Sequence, residues 1–187
     1  MLDYIILLLL CPIWLPVMGV VAILIKTTSK GSVFFKQKRV GKGCRFFTIY
    51  KFRTMRTDTP VDVPTHLLRN PEVYITKVGR FLRSSSMDEL PQLFNIIKGD
   101  ITLVGPRPAL WNQDDLIAER AKYGANDILP GLTGWAQING RDTISIADKA
   151  EYDGYYKQHM GLWLDIKIMM LTFVHVIKRS GVKEGTA

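Results

Sequence analysis

From Tyr4 to Ile25 the chain carries no charged residue. A run of that length in helical form matches the hydrocarbon thickness of a bilayer, so it predicts a membrane segment and leaves the remainder to fold beside it. A basic n-region and a small-residue cleavage site before Lys26 are both missing, which argues against a cleaved signal peptide. Pro12 and Pro16 interrupt the run, each removing a helix hydrogen bond. The residues alone leave open a kinked spanning helix, the favoured of the two, or a re-entrant hairpin. Lys26, Lys30, Lys36, Lys38, Arg39 and Lys42 follow at once and place the rest of the chain on the cytoplasmic side.

The other charges narrow the partners. Lys and Arg number 25 against 17 Asp and Glu in 187 residues, a net charge of +8. Anionic lipid, nucleic acid or a phosphorylated substrate would each account for the excess, and a membrane segment favours lipid and phosphate. Cys11 and Cys44 have neither metal-ligand nor redox spacing and read as free thiols. His66, His159 and His175 are scattered, which gives no support to a zinc site or a Ser-His-Asp triad.

Beyond the membrane run, aromatic and β-branched residues alternate with basic ones around Gly41-Lys42-Gly43, as in a β-hairpin. A Thr-, Asp- and Pro-rich loop is expected from Arg56 to Pro71. Helices are predicted over Ile75 to Ser84, Asp88 to Lys98, Asn112 to Tyr123 and Ser145 to His159, with a last apolar one from Gly161 to Gly181. That last helix has Trp163 near one end and Lys178-Arg179 at the other, a pattern suited to lying at a membrane interface. "KGDITLVGPRPAL" reads as two turns around a short extended run. "LPGLTGWAQINGRD", Leu129 to Asp142, holds three glycines and reads as an ordered loop whose backbone approaches something closely.

"SSSMDELPQLFN" sets Asp88 and Glu89 side by side in this basic chain. Ser86-x-x-Glu89 has capping-box spacing, but it would put Pro91 at the fifth helical position. A start near Asp88 moves Pro91 into the first turn and sets Asp88 at the positive end of the helix dipole, where a carboxylate stays ionised. Arg107 in "GPRP", Arg141 in "NGRD", and Lys51 and Arg53 in "YKFRT" lie beside turn residues or in the basic hairpin. Singly each reads as a surface charge; as a set they suit an anionic ligand, phosphate above all. Paired carboxylates next to phosphate suggest Mg2+.

These blocks, "TSKGSVFFKQKRVGK", "IYKFRTM", "VGRFLRSSSMDELPQLFNIIKGDITLVGPRP", "LPGLTGWAQINGRD" and "LDIKI", resemble those of the bacterial sugar transferases, the monotopic phosphoglycosyl transferases, in order and spacing over nearly the whole chain. The resemblance implies transfer of a sugar phosphate from a UDP-sugar to polyprenyl (undecaprenyl) phosphate with release of UMP, the first membrane step of bacterial surface glycan assembly. It implies a magnesium-dependent catalytic pair, with Asp88 as nucleophile forming an aspartyl-phosphosugar and Glu89 as metal ligand or positioner. Aspartate suits that step, because an acyl phosphate keeps onward transfer energetically level where a serine ester would be too stable. Arg107, Arg141, Lys51 and Arg83 follow as phosphate-binding candidates.

The resemblance also turns the membrane segment into a re-entrant helix over 1–26, bent at Cys11-Pro12, with both ends cytoplasmic at the inner membrane. Residues 27–187 would form the catalytic domain on its cytoplasmic face. The implied fold is α+β and mostly helical: re-entrant helix, small β-hairpin, and a helical catalytic domain with interfacial amphipathic helices on anionic lipid. Two features depart from the family pattern: members often have Ser-Pro where this chain has Cys11-Pro12, and often begin with a basic stretch where it has Met1-Leu2-Asp3. "RPALWNQDDL" looks like members that use N-acetylated, often 6-deoxy, UDP-sugars in capsule or exopolysaccharide assembly. A homo-oligomer is left open. A membrane-anchored nucleic-acid-binding protein or a noncatalytic scaffold is the alternative, but the former has no zinc, RRM or helix-turn-helix pattern and leaves Asp88-Glu89 unexplained, and the latter leaves the loop arginines unexplained.

Overall fold

The computed structural model describes residues 2–60, 68, 70–140 and 144–178. They form two compact units, one drawn from the described residues among 2–37 and 49–97 and the other from those among 38–48 and 98–178.

The first unit opens with α1, Leu2–Thr28, which holds Pro12 and Pro16 in its interior. Among the described residues it is the one helix long and apolar enough to cross a membrane. Leu7, Trp14, Met18, Val21 and Ile25 are buried, a stripe at helical spacing, while Leu8, Leu9, Ile13, Val20 and Ile23 are exposed. Just past its C-terminal end, Arg53 Nη2 donates to Ser29 O at 3.0 Å and to Ser29 Oγ at 2.7 Å, tying the helix exit to the end of the hairpin.

The predicted hairpin is present as β1, Phe34–Val40, and β2, Phe46–Phe52, with Gly43 and Cys44 at positive φ in its turn. Its base belongs to the first unit, where the rings of Phe34 and Phe52 stack 5.6 Å apart, and its tip to the second. Helix α2, Lys77–Ser84, starts two residues later than the sequence suggests because Thr76 caps it, its side chain accepting from Gly79 N at 2.9 Å. Thr76 N also donates to Thr54 O, and a Cβ on Gly79 would strike the Thr54 carbonyl, so only glycine allows this approach.

The expected helix from Asp88 to Lys98 is two elements: a 3₁₀ turn over Met87–Gln92, then α3 over Leu93–Lys98. Pro91 disfavours α winding here, since its ring would clash with the carbonyl four residues back, at Met87.

In the second unit, β3, Thr102–Val104, pairs in parallel with β4, Gly131–Thr133, in the register Thr102↔Gly131 and Val104↔Thr133. The crossover contains α4, Asp114–Lys122; α5, Trp135–Ile138, α6, Ile146–His159, and α7, Leu162–Lys178, follow β4. Helix α6 begins where expected, because Ser145 accepts from Asp148 N at 3.1 Å. A core of Val104, Tyr156 and Ile168 lies beneath the strands. The Tyr156 hydroxyl is 3.0 Å from Val104 O and 2.8 Å from Asp165 Oδ1. Arg120 on α4 and Asp153 on α6 form a buried ion pair, with Nη2 and Nε at 2.6 and 2.8 Å from Oδ2. Burial pushes the Asp153 carboxyl up, and the Arg120 guanidinium opposes that rise.

Parallel pairing corrects the reading of the glycine-rich stretch as loop alone: its first part is a strand. The close approach expected there is to the chain itself. A Cβ on Gly131 would meet Gly105 N, and one on Gly134 would meet Gly105 O. On α7, Leu162, Trp163, Ile166, Met170, Phe173 and Val174 are exposed while Ile168 is fully buried. Trp163 is the most exposed of these, at 83%.

Candidate active site

The serines before the acidic pair end one helix instead of opening the next. Ser84 and Ser85 hydroxyls both donate to Phe81 O, at 3.0 and 2.8 Å, in the last turn of α2. Ser86 then adopts φ 55, ψ 14, the left-handed conformation that terminates helices and usually falls to glycine or asparagine. No side-chain cap forms at Ser86, so the Ser86-x-x-Glu89 capping box is absent. Nor does Asp88 begin an α-helix of useful length; it is the second residue of the 3₁₀ turn, which weakens the dipole expected to act on it. This conformation is uncommon for serine, and Asp88 and Glu89 follow it two and three residues later.

Both carboxylates are half-buried. Lys51 on β2 reaches Glu89, Nζ to Oε1 2.7 Å, with side chains only 16% and 14% exposed. Asn95 on α3 holds these elements in register: it is fully buried, and its Oδ1 accepts from Tyr50 N at 3.0 Å, next to Lys51 in the strand. Lys51, expected at a phosphate, is thus the ion partner of Glu89. Arg83 lies half-buried in the last turn of α2, five residues before Asp88.

Arg107 belongs to the second unit, half-buried on the turn after β3. The hairpin tip fixes that turn: Arg39 Nη1 donates to Pro108 O at 3.0 Å, and Val40 N to Ala109 O at 3.0 Å. Arg141 lies outside the described residues. Cys11 and Pro12 sit within α1, and both cysteines are free thiols.

Asn95 and Ser86 in the first unit, and Arg39 in the second, each carry structural work that the sequence signals weakly or not at all. Asn95 stands amid apolar residues in "LFNII", the one available signal. Arg39 merges with the basic run, and nothing marks Ser86 as left-handed.

The family model for the bacterial sugar transferases covers residues 1–179. The chain belongs to that family. The chain is 46% identical over 152 residues to EpsL of Bacillus subtilis (strain 168), named an uncharacterized sugar transferase, covering 81% of this chain and 73% of that one. It is 37% identical over 169 residues to the UDP-glucose:undecaprenyl-phosphate glucose-1-phosphate transferase of Xanthomonas campestris pv. campestris, covering 87% of this chain and 35% of the other. An Aeromonas hydrophila protein named UDP-N-acetylgalactosamine-undecaprenyl-phosphate N-acetylgalactosaminephosphotransferase is 38% identical over 177 residues, covering 92% and 42% respectively. The chain therefore spans most of EpsL but less than half of the other two relatives.

Proposed function

We propose that this chain moves a sugar 1-phosphate from a UDP-sugar to polyprenyl phosphate through a covalent intermediate on Asp88. The observation that carries the reading is the Asp88-Glu89 pair, with Glu89 held by Lys51 at 2.7 Å.

An Asp88 carboxylate oxygen attacks the phosphorus that bears the sugar. The bond from that phosphorus to UMP breaks, and UMP leaves with the electron pair. A phosphate oxygen of polyprenyl phosphate then attacks the same phosphorus, the Asp88 acyl-phosphate bond breaks, and the carboxylate is regenerated. Each step exchanges one P–O bond for another of similar energy, which a carboxylate permits. Lys51 holds Glu89 in place and lowers the electrostatic cost of gathering phosphates beside two carboxylates. Arg83, Arg107 and Arg141 are the proposed phosphate-oxygen contacts.

Asp88 and Glu89 would hold Mg2+. Two carboxylate donors suit an ion that takes one or two from protein and the rest from phosphate and water. Bound there, it would offset charge on the transferring phosphoryl group.

The proposed setting is the cytoplasmic face of a bacterial inner membrane, with α1 re-entrant and the exposed apolar face of α7 on the lipid. The two prolines and the buried stripe of α1 support the first, and the exposed Trp163 and Phe173 the second.

Incubation with a UDP-sugar alone, drawn from a panel of glucose and N-acetylated donors, is expected to release UMP and leave a sugar phosphate on the Asp88 peptide. Asp88→Asn removes both, a loss of ~10² or more. Strictly sequential kinetics without an adduct, or a variant keeping more than about a tenth of the activity, would overturn the assignment.

A further inference from the structure

Trp14 makes a contact that a straight helix does not allow. Its Nε1 donates to Leu7 O at 3.0 Å, seven residues back and buried. Seven residues of straight α-helix rise about 10.5 Å, too far for an indole to bridge, so the turns must close up on the side where Leu7 and Trp14 lie.

The prolines say which side that is. At about 100° per residue, Leu7 and Trp14 lie roughly 140–180° around the helix from both Pro12 and Pro16. A proline ring pushes away the carbonyl four residues back and lacks its donor, so a helix opens on the proline side and bends toward the opposite one. Leu7 and Trp14 occupy that concave side, together with buried Met18, Val21 and Ile25.

The indole has a second contact. Its ring meets Phe94 edge to face, centroids 5.9 Å apart at 85°. Phe94 lies on α3, which continues directly from the 3₁₀ turn carrying Asp88 and Glu89.

We infer that Trp14 is a positioning residue: its indole N–H clamps the bend of the membrane helix, and its ring ties that bend to the element bearing the acidic pair. Cys11, four residues after Leu7, is a weak donor and a poor rival for the Leu7 carbonyl, which leaves the clamp to the indole. This rests on the re-entrant reading above. It gives Trp14 the task of setting the depth at which Asp88 meets a lipid-borne phosphate.

The test uses the full chain in nanodiscs, with Cys11→Ala and Cys44→Asn and spin labels at Ile5→Cys and Leu24→Cys, both exposed positions. In a straight helix these sites stand about 28 Å apart. With Trp14 intact the distance is expected to be clearly shorter. Replacing Trp14 alone by benzothienylalanine, which changes the N–H to sulfur at constant shape, should lengthen and broaden it. The KM for polyprenyl phosphate should rise about five- to tenfold, as expected for one buried hydrogen bond, with the KM for UDP-sugar within twofold. Identical distance distributions in the Trp14 and sulfur proteins would overturn the inference while leaving the topology intact. A distance near 28 Å with Trp14 in place would instead sink the bend itself, and the inference with it.

Discussion

Lys51→Met tests what the lysine does. Lys51 Nζ lies 2.7 Å from Glu89 Oε1, and both side chains are more than four-fifths buried, so water screens the pair little. A hydrogen bond to a charged group contributes about 1.5–3 kcal/mol, and losing that much from the transition state lowers kcat/KM about 10- to 150-fold. Two roles for Lys51 give different double mutants. If it acts by holding Glu89, Lys51→Met combined with Glu89→Gln should be no slower than Glu89→Gln alone, within about 0.5 kcal/mol. If it binds a substrate phosphate directly, the two losses should add. The assay is initial-rate UMP release from a UDP-sugar in the presence of polyprenyl phosphate, in four parallel preparations checked for equal thermal stability. A Lys51→Met enzyme within twofold of wild type, or fully additive losses, would refute the holding role.

The buried pair of Arg120 and Asp153 invites a stability measurement. Asp153→Ala leaves a guanidinium buried without its partner and should cost about 3–5 kcal/mol, whereas Arg120→Met with Asp153→Leu should cost much less, because both desolvation penalties vanish together. Chemical denaturation of the detergent-solubilised protein reads both. Gly131→Ala drives a methyl group into the Gly105 backbone and should cost about 1–3 kcal/mol, seen as a Tm lower by several degrees. For topology, single cysteines at Leu2 and Thr27 in a background lacking Cys11 and Cys44 should both resist an impermeant thiol reagent on intact cells and react after lysis; external labelling of the Leu2 site would establish a spanning helix.

What could be read from the chain alone follows the distance over which each signal acts. The charge-free run, the Gly41-Lys42-Gly43 turn and the Ser145 cap are local: a few neighbouring residues determine them, and α1, the hairpin and α6 appear where expected. The acidic pair is visible for the same reason, being two adjacent residues. Its surroundings are not. Glu89 meets a lysine 38 positions away, Tyr50 N meets Asn95 across 45, and β3 pairs with a strand beginning 29 residues further on. Each strand there is three residues long, too short for alternation to mark it. Ser86 defeats local reading differently: serine ranks below glycine and asparagine for a left-handed turn, so its conformation reflects what tertiary structure imposes on either side. That conformation sends the chain out of α2 and into the tight turn, where Asp88 follows two residues later. Adjacent carboxylates are visible in the sequence, while the left-handed Ser86 and the long-range contacts of Lys51 and Asn95 appear only once the chain has folded.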